Sequence, residues 1–130
     1  MEDVAWKFRE YVAPSGRKLV SEWYGKLSLQ IQSDFDRMLG ILANKKEWKY
    51  PEFKRLQGRQ YRGLGEIRWQ SGGVQHRVIG CNGSGAGEYT LLIGCTHKGR
   101  VYDPPSALGT AIQRMRALKD GQGTTCRYES

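Results

Sequence analysis

The sequence predicts an α+β domain: a small antiparallel sheet of about four strands, with an N-terminal helix or helix pair and a C-terminal helix packed on one face. Three observations predict it. Apolar residues alternate near the N-terminus, then recur every three to four residues from Arg17 to Asn44. Gly72-Gly73 separates two strand-like runs, 66–71 and 74–81. A continuous apolar run from Glu88 to Thr96 precedes Pro104-Pro105 and a second helical stripe. Strands and helices segregated in this order, with tight connections, make an α+β domain.

Val4-Ala-Trp-Lys-Phe-Arg-Glu-Tyr-Val12 reads as an opening strand with Val4, Trp6 and Phe8 on its buried side. Ala13-Pro-Ser-Gly16 breaks it, and Ser15 is placed to cap the helical segment after it. Leu19, Val20, Trp23, Leu27, Ile31, Phe35, Met38, Leu39 and Leu42 then form one apolar helix face, which Gly25 can divide into a short and a long helix. The segment 45–63 is irregular, basic and aromatic, punctuated by Pro51 and Gly58. Lys and Arg interleaved with Trp48, Tyr50, Phe53 and Tyr61 suit single-stranded nucleic acid, with cations for phosphate and rings for bases. The same pattern suits a loop whose rings pin it to the helices.

A two-residue turn at Gly72-Gly73 needs positive φ, which glycine adopts freely. It sets the register: Ser71 opposite Val74, Gln70 opposite Gln75, Trp69 opposite His76, Arg68 opposite Arg77, Ile67 opposite Val78. Ile67, Trp69, His76 and Val78 then share a core face, and Arg68, Gln70, Gln75 and Arg77 share the other. Two guanidiniums side by side destabilise a sheet by up to ~1 kcal/mol. An anionic ligand explains the pair; so does splaying into solvent, or pairing with Glu66 or a remote carboxylate. A three-residue turn would instead send Arg68 and Arg77 to opposite faces.

The glycine-rich stretch 82–87 lacks the Lys-Ser/Thr ending of a P-loop and precedes a strand, which excludes a nucleotide-binding loop. The apolar strand delivers His97, Lys98, Arg100 and Tyr102 at its end. Leu108, Ala111, Ile112, Met115 and Leu118 give the last helix its stripe, and Gly121 ends it. Residues 121–130 read as a flexible tail, with Arg127 and Tyr128 available to a ligand, so the domain spans 1–120.

With 130 residues the chain holds one core, and its 38% hydrophobic content can fill it. The net charge of +8 points to a polyanionic partner, nucleic acid first. Cys81, Cys95 and Cys126 show neither a disulfide framework nor zinc spacing and read as reduced hydrophobes. No membrane-length apolar run occurs, and Met1-Glu-Asp-Val is not a basic leader, so a soluble cytoplasmic protein is expected.

Pro51-Glu-Phe-Lys-Arg-Leu56, Leu64-Gly-Glu-Ile-Arg68, His76-Arg-Val-Ile-Gly80, Leu91-Leu-Ile-Gly94 and His97-Lys98, then Pro104, Ala111 and Arg114, form a familiar series. Over about residues 15–120 it resembles the RelE/ParE toxin superfamily, most closely its HigB-like, phage-derived branch. The resemblance implies a RelE-like fold and the toxin of a type II toxin–antitoxin pair. The toxin would be an endoribonuclease cutting mRNA, commonly at the ribosome, held by a helix-turn-helix antitoxin and inhibiting translation. It implies attack of a ribose 2′-OH on the adjacent phosphate, leaving a 2′,3′-cyclic product, with no metal or cofactor. By the same resemblance Arg68 and Arg77 would hold the scissile phosphate, with Lys98 a second ligand or acid. Tyr102 would stack or donate, and His97 has the pKa for proton transfer. Lys54, Arg55, Arg59, Arg62 and Arg100 would contact RNA backbone. The paired lysines that RelE carries before the hairpin are matched only by Lys54 and Arg55. The superfamily also includes ParE-like gyrase poisons, and a non-catalytic basic binding module is a third class.

Overall fold

The computed structural model describes residues 5–129, so Val4 and the acidic N-terminal start lie outside the described residues. The elements run β1 (Lys7–Val12), α1 (Leu19–Gly25), α2 (Leu29–Ala43), β2 (Phe53–Arg55), a 3₁₀ turn (Arg59–Tyr61), β3 (Leu64–Ser71), β4 (Val74–Asn82), β5 (Glu88–Lys98), β6 (Val101–Asp103), α3 (Ala107–Lys119) and β7 (Thr124–Arg127). The chain is α+β, built on an open, mostly antiparallel sheet.

That sheet has seven strands in the order β2-β3-β4-β5-β1-β7, with β6 on the end of β5. About four were expected. The additional ones, β2, β6 and β7, have three or four residues each, too few to leave a periodic pattern. β1 runs parallel to β5, Phe8 opposite Tyr89, while the other pairs are antiparallel.

The helix pair divides at Gly25 as its sequence indicates. Ser28 caps α2, its Oγ accepting from Ile31 N (3.3 Å), whereas no side chain caps α1, so the cap expected of Ser15 is not made. Phe35 from α2 stacks on Trp69 of β3 at 4.7 Å, with Trp23 and Tyr128 edge-on to it. Trp48 is part of this packing, its rings against Trp6, Phe8, Phe53 and Tyr89 and its Nε1 donating to Leu42 O. Three of the four aromatics of segment 45–63, Trp48, Phe53 and Tyr61, therefore pack against the cores. Tyr61 is half-buried, and Tyr50, 71% exposed, projects outward.

The helices do not share one face, contrary to the expectation from sequence. α1 and α2 cover the Ile67–Trp69–Val78 face, whereas α3 packs on the other, against Leu64, Ile79, Cys81 and Leu92. Alternation around Arg68 and Arg77 hides that second apolar patch because it lies further along the same strands. A bulge between Ile79 and Gly80 shifts the ladder there, and Leu91 and Leu92 join cores on opposite faces. The face carrying the arginines is thus open only beyond the end of α3.

Segment 121–130 is not a flexible tail in its described part. Thr124–Arg127 pairs with β1, and Tyr128 is buried, its N–H bonded to Phe8 O at 3.0 Å. Arg127 stays exposed near Glu129. Tyr128→Ala should cost about 3 kcal/mol, the usual loss for a large buried aromatic, read as a fall in the denaturant midpoint.

Candidate functional site

The β3–β4 hairpin has the register set by its glycine turn: Gly72 and Gly73 have φ of 60° and 76°, and Arg68 stands opposite Arg77. The amide of Arg68 bonds to Glu52 O, away from β4 (2.8 Å), so Arg68 and Arg77 form a non-hydrogen-bonded pair. Such pairs bring side chains closest, with Cα atoms about 4.5 Å apart. The strands therefore hold two guanidiniums together on one face.

Glu66 lies between them, two residues before Arg68 and on the same face. Its Oε1 is 3.6 Å from Arg68 Nε and 3.8 Å from Arg77 Nε, ion-pair distances too long for hydrogen bonds. Its Oε2 accepts a 2.7 Å hydrogen bond from the Tyr102 hydroxyl. Arg77 is 3% exposed and Glu66 4%. Arg77 donates to His76 O at 2.9 Å and to Gln75 Oε1 at 2.6 Å, which aims the guanidinium along the face. Even so, three buried N–H groups, Arg68 Nε and Nη1 and Arg77 Nε, have no hydrogen-bond acceptor among the described residues. Two cations face one carboxylate, leaving positive charge and donors in excess.

The end of β5 completes the site. Gln75 pairs with His97, and His97 with Tyr102 on β6, so one row of the ladder carries all three. The His97 and Tyr102 rings lie 4.6 Å apart. Burial, then Arg77, lowers the His97 pKa below its ordinary value, so the free imidazole is neutral at pH 7. Burial and the Glu66 hydrogen bond raise the Tyr102 pKa, keeping the phenol a proton donor. Burial, then Arg68, also lowers that of Arg77, the expected strain of two close cations.

Arg68, Arg77, His97 and Tyr102 are thus brought together, and Lys54, opposite Glu66 on β2, borders them. Lys98 is not. It follows His97 on the strand and stands opposite Val101, so alternation turns it to the other face. Arg55 likewise turns away from Lys54 and lines a separate cavity with Arg9 and Lys119. Arg59 opens the 3₁₀ turn, Arg62 follows it and Arg100 lies in the β5–β6 turn; all three are exposed, and no hydrogen bond or ion pair among the described residues ties them to the arginine pair. Sequence reasoning marks Glu66 only as a possible ion partner, and Gln75 only as an outward-facing residue. It gives Tyr50 as one aromatic among four, yet the Arg68 guanidinium lies 4.9 Å from its ring centre. Parity alone could have found Glu66, since it shares a strand and a face with Arg68.

His76 belongs to the opposite face, buried and stacked on Trp69 at 5.3 Å. Burial lowers its pKa, Arg77 adds to this, and Ser71 and Asp34 oppose it. The unfolded chain thus takes up a proton near pH 6.5 that the folded one refuses. Stability should be constant above that pH and decline as pH falls through it, levelling only below the depressed folded pKa. Urea midpoints from about pH 8 to 5, in wild type and His76→Phe, read this directly: the decline should shrink in the variant.

Cys81 and Cys95 are buried free thiols, pushed up to about 11 and about 12 by burial, so neither is a nucleophile at neutral pH. No helix among the described residues is long and apolar enough to cross a membrane. No protein-family model matches the chain, and neither a curated protein nor a solved structure matches it.

Proposed function

We propose that this protein is a metal-independent endoribonuclease that cleaves single-stranded RNA by transphosphorylation. In the cell it would act as an mRNA-cutting toxin neutralised by a helix-turn-helix antitoxin. The observation that carries the reading is the guanidinium pair, two cations to one buried carboxylate, at the end of an open groove. A phosphodiester entering that groove balances the surplus cation, and the pair meets the extra negative charge of a pentacoordinate transition state. The motif resemblance to RelE-like toxins selects RNA among phosphate ligands and supplies the antitoxin and the ribosome as partners.

Each step is assigned to a residue of the cluster. Glu66 accepts the 2′-OH proton, and the 2′ oxygen attacks phosphorus. The bond to the 5′ oxygen breaks, and that oxygen takes a proton from His97. His97 acts here as its imidazolium, which the incoming phosphate favours by offsetting the Arg77 charge, against burial, the larger cause of its lowered pKa. Tyr102 holds the Glu66 carboxylate in place through its 2.7 Å bond. A purely structural cluster accounts for Glu66 beside one arginine but not for the second cation placed next to it.

Incubating purified protein with a short single-stranded RNA, with and without ribosomes, tests the reading. Fragments ending in 2′,3′-cyclic phosphate, formed equally in EDTA, are the expected result. Intact RNA in both conditions rejects it. DNA breaks on induction with whole mRNA would instead favour the gyrase-poison class.

A further inference from the structure

β2 pairs with β3 only as far as Ile67, so β3 runs on to Ser71 with no strand among the described residues on its outer side. Arg68 N–H points outward to Glu52 O, and by alternation the N–H and C=O of Gln70 point outward too, along a bare edge. A groove of about 560 Å³ follows this edge. Its far wall is apolar, formed by Met38 and Ile41 of α2 with Pro51, and Ile41 is 42% exposed. Its near end opens on Arg68, Gln75 and Arg77. One groove therefore offers, in sequence, a cationic end, an unpaired backbone donor and acceptor, and an apolar wall.

We propose that this groove is a nucleobase subsite. The base adjoining the phosphate held by Arg68 and Arg77 lies between Ile41–Pro51 and the β3 edge, its polar rim on the backbone of Gln70. The assignment rests on reading the arginine pair as a phosphate site and adds which part of the RNA enters beside it. Rings dock by apolar contact and edges by hydrogen bonds, the two surfaces this groove supplies. An acidic peptide added to the same edge fits less well. It would carry carboxylates along the wall that holds Asp34 and Glu52 beside Arg37, whereas the base is uncharged there and its one phosphate lies at the Arg68–Arg77 end.

The test uses a six-nucleotide single-stranded RNA with 2′-O-methyl at every ribose, which binds without cleavage, and a scan of single abasic replacements. One abasic position should weaken binding to the wild-type protein about tenfold. Ile41→Glu should weaken the parent oligomer similarly and abolish the effect of that abasic position. Ile41→Ser serves as a milder variant should the charge disturb the helix, and thermal melts check the fold. A flat scan, wild-type affinity in both variants, or displacement of the oligomer by an acidic peptide with no abasic position mattering would overturn the subsite. Cleavage of unmodified RNA with a flat scan would remove the subsite and keep the nuclease. Abasic-sensitive binding without cleavage would remove the nuclease and keep the subsite.

Discussion

Glu66→Gln is expected to lower kcat for RNA cleavage by about 10²–10³, the range for loss of a positioned general base, while RNA binding holds or tightens. The two outcomes move in opposite directions for one reason. The amide keeps the shape and still accepts from Tyr102, but it takes no proton and no longer neutralises the guanidiniums beside it. Arg68 and Arg77 then face the phosphate with their full charge, so the uncleavable oligomer should bind at least as well as before, with a steeper salt dependence. Arg77→Met is the complement. It should lose activity by about 10³ and weaken RNA binding, with a modest loss of thermal stability because Arg68 remains beside Glu66. Relief of the Arg68–Arg77 repulsion then offsets part of what is lost with the Glu66 ion pair and the hydrogen bonds to His76 O and Gln75 Oε1. If Glu66 were only a structural counter-ion, Glu66→Gln would reduce stability and leave kcat per folded molecule untouched. Single-turnover kinetics beside urea titrations separates these cases.

Gly80→Ala should be the most damaging single-methyl addition, at about 3 kcal/mol, at the upper end for overpacking. A Cβ there would run into the backbone carbonyl of Thr90 and come within 2.5 Å of Tyr89 Cε2. Neither neighbour can give way. Thr90 belongs to the adjoining strand beside the bulge, and the Tyr89 ring is fully enclosed, its hydroxyl bonded to Gly65 O at 3.1 Å. The contrast is Gly40→Ala in α2, where an added methyl meets nothing within 4 Å. That change should stabilise by about 0.5–1 kcal/mol, the helical preference for alanine over glycine. Opposite shifts in the urea midpoint would confirm the packing around the bulge; equal shifts would contradict it. Gly80 closes one of the motifs behind the toxin resemblance, and Gly94, whose added Cβ would strike the Trp23 indole, closes another. These motif positions therefore report close packing, whereas Arg77 and His97 report the site.

Local pattern decided the helix division at Gly25, the central apolar strand and the whole register of the hairpin. A pleat has a period of two, so once the glycine pair is the turn, the arginines must stand together, whatever the rest of the chain does. Glu66 was within reach of the same parity argument. Which of the outlying cations join the site was not. Lys54 borders it and Arg55 leaves it because a three-residue strand too short to see in sequence pairs with β3. Lys98 and His97 part company for the same alternating reason at the end of β5. The placement of α3 on the second face, the parallel pairing of β1 with β5 and the burial of Tyr128 join residues far apart in the chain, where neighbours in sequence carry no information. Packing chose these, since each buries apolar surface that no single element could cover alone. The hairpin collected the charges, and the three-dimensional fold decided how much of the surface around them stayed open.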